Sequence, residues 1–191
     1  MKKLIFLLLS VAVLFSWELK KNENGIKVYT QNVENSKYDE FKAEMIVTKP
    51  FDKVKKTLLD FKNYPKWQKK IENIEVKNGY MLKELDFPFP LSNRFAFYKI
   101  NIKQTPDMLE IDLNSIPYDK LPENIKKEFE KPSCVEMKDD VVFKAVKTDN
   151  GVKIIYSAKV DPKGAPAFIF NRKIVSAAYE TLNNLKEELN K

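Results

Sequence analysis

The chain has 191 residues, 43% hydrophobic and 32% charged, with four Gly, ten Pro, one Cys and no His. That length suits one domain with a real apolar core, and the composition is too apolar for disorder throughout. A single Cys excludes an internal disulfide framework, and the lack of His excludes Ser-His-Asp and Cys-His mechanisms, HExxH zinc sites and His-held haem. The glycines stand singly, so there is no P-loop and no GxGxxG fingerprint. No cofactor and no metal is expected.

Lys2 and Lys3 precede an apolar run from Leu4 to Phe15, broken only by Ser10. This is the charged and hydrophobic pattern of a secretory signal, far short of the roughly 20 residues that span a bilayer. We expect a signal peptide over 1–16, one domain over 17–191, and a periplasmic or secreted location. The other reading, a buried helix of a cytosolic protein, finds no polar face to support it. Net charge is +7, and of 34 basic residues only Arg94 and Arg172 are Arg. Lysine doublets alternate with acids, which reads as a solvated surface; the sharper reading is transient contact with an anionic membrane. With no Arg cluster and no known motif, nucleic acid is not an expected partner.

Ile26–Val33 and Lys37–Val47 read as strands, the second with Phe41, Ala43 and Met45 on one face. Thr48-Lys49-Pro50 opens a helix carrying Phe51, Val54, Leu58 and Phe61, which Asn63-Tyr64-Pro65 breaks before a short helical piece with Trp67. Asn73–Lys77 and Tyr80–Leu85 form a hairpin across Asn78-Gly79. Arg94–Gln104 alternates with Tyr98, Ile100 and Ile102 on one face, and Met108–Asn114 with Leu109, Ile111 and Leu113 inward. Between Ile116 and Pro132 runs an excursion that reads equally as a lid or as a surface segment packed by Ile125 and Phe129. Val141–Lys147 and Val152–Val160 pair across Asp149-Asn150-Gly151, with Val141, Phe143, Ala145 and Ile154, Tyr156, Ala158, Val160 inward. A long final helix carries Phe168, Val175, Ala178, Leu182, Leu185 and Leu189 as its stripe.

Hairpin-joined strands imply an antiparallel sheet, and one long helix covers such a sheet only if the sheet curls around it. The expected class is α+β: a curved antiparallel sheet wrapped around a C-terminal helix, the helix-grip fold. Incomplete packing between the two would leave a ligand cavity.

Five strings then carry a resemblance: Ile26-Lys27-Val28-Tyr29, Phe41-Lys42-Ala43, Trp67, the segment Phe87-Pro88-Phe89-Pro90-Leu91-Ser92-Asn93-Arg94, and Asp161-Pro162-Lys163-Gly164-Ala165-Pro166. In this order they resemble the START family, the steroidogenic-acute-regulatory-related lipid-transfer domains, in a bacterial exported form. The resemblance implies that one hydrophobic molecule, a lipid, fatty acyl compound or sterol, is carried under the last helix. The family segment reads Arg-Asp where this chain has Arg94-Phe95. Some sterol-carrying members hold an ion pair in the cavity, and none maps onto this sequence.

The candidate ligand-binding residues are Trp67, Phe87, Phe89, Arg94, Tyr98, Leu113, Phe143, Tyr156, Phe168, Val175 and Tyr179. Trp67 reads as a core anchor or a ring at the cavity mouth, and Phe87 and Phe89 as a stiff edge connection or an aromatic rim. Arg94 reads as the partner of a carboxylate or of a lipid headgroup. Tyr98, Tyr156 and Tyr179 offer hydroxyls; Leu113 and Phe143 face inward; Phe168 and Val175 stand on the covering helix. Catalytic residues are not expected. A monomeric, non-enzymatic carrier is the first reading. A helix-grip enzyme of the polyketide cyclase type needs a cavity acid or base, and few carboxylates occupy the inward sets. A packed interaction module without a cavity is the third.

Overall fold

A computed structural model describes residues 16–87 and 90–191. The expected signal segment, apart from Ser16, and Phe89 lie outside the described residues. No helix among the described residues is long and apolar enough to cross a membrane.

The chain opens with a hairpin absent from the sequence reading, β1 (Glu18–Glu23) against β2 (Ile26–Gln31). Its turn residues, Asn24 and Gly25, both hold positive φ, the geometry that favours Asn-Gly between paired strands. β1 is a mostly exposed edge strand rich in Lys and Glu, so it has no apolar alternation to detect. β3 (Glu40–Val47) turns Phe41, Ala43, Met45 and Val47 inward. α1 (Phe51–Leu59) begins directly after Pro50 and buries Phe51, Val54 and Leu58. The chain breaks at Asp60, earlier than expected, and Asn63-Tyr64-Pro65 lie within a 3₁₀ turn, Phe61–Lys66.

β4 (Ile71–Lys77), β5 (Tyr80–Leu85), β6 (Arg94–Gln104) and β7 (Met108–Ile116) follow as a meander. After the excursion, with its single-turn α2 (Glu123–Lys126), come the two-residue β8 (Val135–Glu136), then β9 (Lys138–Thr148), β10 (Gly151–Asp161) and α3 (Ala167–Asn190). The sheet order is β1-β2-β3-β10-β9-β7-β6-β5-β4, with β8 parallel to β6 and all other pairs antiparallel. At the start of β10, Gly151 has φ +127° and lies so close to Val47 that a Cβ would collide with the Val47 carbonyl.

α3 packs across β1, β2 and β3, α1 lies on β9 and β10, and the 3₁₀ turn lies on β4. The curved sheet thus holds its helices in its concave face, the expected helix-grip arrangement. The main core fills that face. A second core forms on the opposite face, where Leu121, Ile125 and Phe129 of the excursion pack on Leu82, Phe95 and Phe97. The excursion is therefore an outer strap, not a lid on the concave side. Phe95, which replaces the family's acid, is buried beneath it.

Two apolar faces are not buried throughout. Ile102 extends past the core and is 48% exposed. In α3 the buried set is Ile174, Ala178, Thr181, Leu182, Leu185 and Leu189, so the first turns are rotated relative to the expected stripe.

Candidate ligand-binding site

Alternation along β5, β6, β9 and β10 places Lys83, Tyr98, Asp139 and Tyr156 on the concave face. Lys83 continues the row of Met81, and Asp139 continues that of Val141, Phe143 and Ala145. The Asp139 Oδ2 accepts hydrogen bonds from the Tyr98 hydroxyl at 2.5 Å and from Lys83 Nζ at 2.8 Å. The Lys83 and Asp139 side chains are only 7% and 6% exposed. Lys83 Nζ also stands 4.8 Å from the centroid of the Tyr98 ring. An isolated charge here would be costly, whereas the pair is neutral as a unit and hydrogen-bonded. Burial first, and then the charge of Asp139, pushes the Tyr98 hydroxyl well above its ordinary pKa. It remains a donor at any physiological pH.

Beside this cluster, Tyr156 stacks on Phe143 with centroids 4.5 Å apart, and Phe41 meets its ring edge-on at 4.9 Å. Burial and the nearby Asp139 raise the Tyr156 pKa far above its ordinary value. Among the described residues its hydroxyl has no hydrogen-bond partner. Yet Tyr156 is only half-buried, as is Val160 on the same face.

Leu113 and Phe143 are fully packed parts of the inner wall. Trp67 is a core anchor and not a rim residue. It is completely buried against Tyr64 at 4.4 Å and Phe143 at 5.6 Å, and its carbonyl accepts from Asn184 of α3. Phe87 is half-buried against the main core, and Val175 is its counterpart on α3. Tyr179 turns away toward the β1–β2 turn, where Asn24 Nδ2 donates to its hydroxyl at 2.8 Å and Lys21 lies over its ring. Phe168 points outward, 79% exposed, beside Ile169 at 41%.

Arg94 has no carboxylate partner among the described residues. It is buried, and its guanidinium donates to the main-chain carbonyls of Ser92, Asn93, Pro162 and Lys163. The register places Leu85 opposite Arg94 and Asp161 opposite Lys138, so the β5–β6 and β10–α3 connections share one end of the sheet. Two clefts flank the second connection there. One, of about 430 Å³, is lined by Ser115, Glu136, Met137 and Lys163; the other, of about 320 Å³, by Ser36, Tyr38, Asp161 and Lys163. Both linings mix polar and apolar side chains.

No protein-family model matches the chain. An uncharacterized protein of Pseudomonas aeruginosa is 24% identical over 182 residues, covering 92% of this chain and 87% of that protein. A crystallised fragment of the STAR-related lipid transfer protein from Xanthomonas axonopodis superposes with a TM-score of 0.77 at 26% identity, covering 92% of this chain and 99% of that one. Human STARD10 gives a TM-score of 0.76 at 19% identity, covering 92% and 73%. This chain is a START-like helix-grip domain.

The sequence reading of this START-like domain missed Lys83 and Asp139. The signal was present, since extending the inward rows by one step in β5 and β9 reaches both. The assumption that a Lys or Asp on a strand faces water concealed them.

Proposed function

We propose that the START-like domain binds and carries one hydrophobic molecule between α3 and the concave face of the sheet. The observation that carries this reading is the incompletely buried row of Tyr156 and Val160 on the concave face, beside a buried polar cluster. The apolar body of the ligand would lie along Tyr156, Val160, Phe87 and Val175, with burial contributing about 0.8 kcal/mol per CH₂. Its polar end would meet Lys83, Asp139 and Tyr98. The likeness to a STAR-related lipid transfer protein supports a lipid-like ligand.

The carrier reading is non-enzymatic. The inner face does hold a carboxylate, but Asp139 Oδ2 is already engaged by both a lysine and a tyrosine. Export by residues 1–16 would place the carrier in the periplasm or outside the cell. Exposed Phe168 and Ile169, next to exposed Arg172 and Lys173, supply an apolar and basic edge suited to brief contact with an anionic membrane. Native mass spectrometry of the protein purified from its own cells, followed by organic extraction, tests the reading. A co-purifying lipid is expected. An empty protein that also takes up no fluorescent fatty acid or sterol would overturn it.

A further inference from the structure

Arg94 is 3% exposed, and its hydrogen bonds among the described residues all go to main-chain carbonyls. Its Nε donates to Pro162 at 2.7 Å and its Nη2 to Lys163 at 3.0 Å. Its Nη1 donates to Ser92 and, at 3.2 Å, to Asn93. Its guanidinium also lies 5.0 Å from the centroid of the Phe87 ring. One planar side chain therefore joins two separate connections, β5–β6 and β10–α3. Among the described residues, the hydrogen bonds between these two connections run through Arg94 alone.

These connections border the less tightly packed end of the grip. Leu85, Phe87, Val160 and Phe170 are half-buried there, while α3 buries its face completely only further along. Parting the β5–β6 and β10–α3 connections would widen this end of the concave face. We infer that Arg94 is a clip holding these two connections together, a positioning residue that sets how fast ligand passes rather than one that reads the ligand.

The chemistry suits a clip. Charge-assisted bonds to carbonyls are stronger than neutral ones, and Arg is suited to the task because its donors lie in a fixed fork. Lysine, with its three donors on a single nitrogen, cannot reproduce the forked contacts to all of these carbonyls. Water can replace carbonyl acceptors when the segments part, so opening leaves no unpaired buried carboxylate, as rupture of a buried ion pair would. The other ties of the β10–α3 connection lead elsewhere. Tyr38 donates to the Ala165 carbonyl at 2.8 Å, and Asn171 bonds Lys37 and Asp39, which fastens this connection to the segment before β3.

The functional sense of the clip rests on the carrier reading; the clip itself rests on geometry. Hydrogen–deuterium exchange of the wild-type protein is therefore measured first, over 86–93 and 161–173. A common opening rate for both segments is expected, and clearly different rates would overturn the clip. In Arg94→Lys, both segments are expected to open about tenfold faster or more, with the rest of the sheet unchanged. Acceleration of one segment only would overturn it. Release of an NBD-labelled fatty acid from loaded protein to phosphatidylcholine–phosphatidylglycerol vesicles is expected to quicken by a similar factor, at unchanged equilibrium binding. Loss of equilibrium binding in a folded Arg94→Lys protein would make Arg94 a ligand contact and overturn the assignment. If the wild-type protein takes up no probe, the carrier reading fails, and the exchange rates still decide the clip.

Discussion

The two halves of α3 are built on different principles. From Ala178 onward the helix buries Ala178, Leu182, Leu185 and Leu189 almost completely in the main core. Its first turns instead expose Phe168 and Ile169 and are held by polar ties, among them Asn171 and, just before the helix, the carbonyls bonded by Tyr38 and Arg94. Hydrocarbon packing is lost whenever surfaces separate, whereas water can replace a carbonyl's hydrogen-bond donor. One helix thus combines a fixed anchor with a releasable end. The polar cluster of Lys83, Asp139 and Tyr98 belongs to the releasable end, since Asp139 pairs with Val160 where β10 runs out.

The sharpest test of that contrast is the charge beneath the releasable end. Asp139→Ala strands the Lys83 ammonium and is expected to destabilise the protein by roughly 3–5 kcal/mol in urea unfolding. Most of that loss should return in Lys83→Met/Asp139→Leu/Tyr98→Phe, because the pair and the hydroxyl that donates to it are all replaced by apolar groups; failure to recover would mean that the site is already wet. At the anchored end, Leu182→Ala should cost about 2–5 kcal/mol, with thermal unfolding as the check. Alkali should weaken the interior of the grip next. Tyr64, Tyr98 and Tyr156 all have pKa values raised above the ordinary 10.0, chiefly by burial. The unfolded chain loses these protons first, so the stability they contribute is complete below about pH 10 and falls as pH climbs beyond it. Each contributes a slope of about 1.4 kcal/mol per pH unit. Tyr156→Phe should therefore flatten the decline in denaturant midpoint between pH 9.5 and 11.5 relative to wild type. The smallest effect is expected at Phe168, where Phe168→Ala should change stability by less than about 0.5 kcal/mol. The same variant should slow transfer to anionic vesicles, and an unchanged rate would remove Phe168 from the membrane edge.

Much of the architecture was legible because the local signals agree with the global fold. Asn78-Gly79 marks its hairpin, and strict alternation fixes β6 and the inward row of β9. Legibility fails where burial and polarity part company. β1 carries charge along a paired edge, so apolar periodicity passes over it. The stripe of α3 misleads at Phe168, because an apolar residue in an incompletely covered turn is indistinguishable in sequence from one in the core. Lys83 and Asp139, and the partners of Arg94, are hidden for the opposite reason. All three are charged side chains made tenable inside by partners distant in sequence, as with Lys83 and Asp139 or Arg94 and Pro162.

Gly151 gives the molecule a direction. With no room for a side chain between it and Val47, the β9–β10 turn is seated on the end of β3, at the opposite end of β10 from Asp161. A methyl group at position 151 would have to push the turn off β3, so the close seat at this rim exists only while residue 151 carries no side chain.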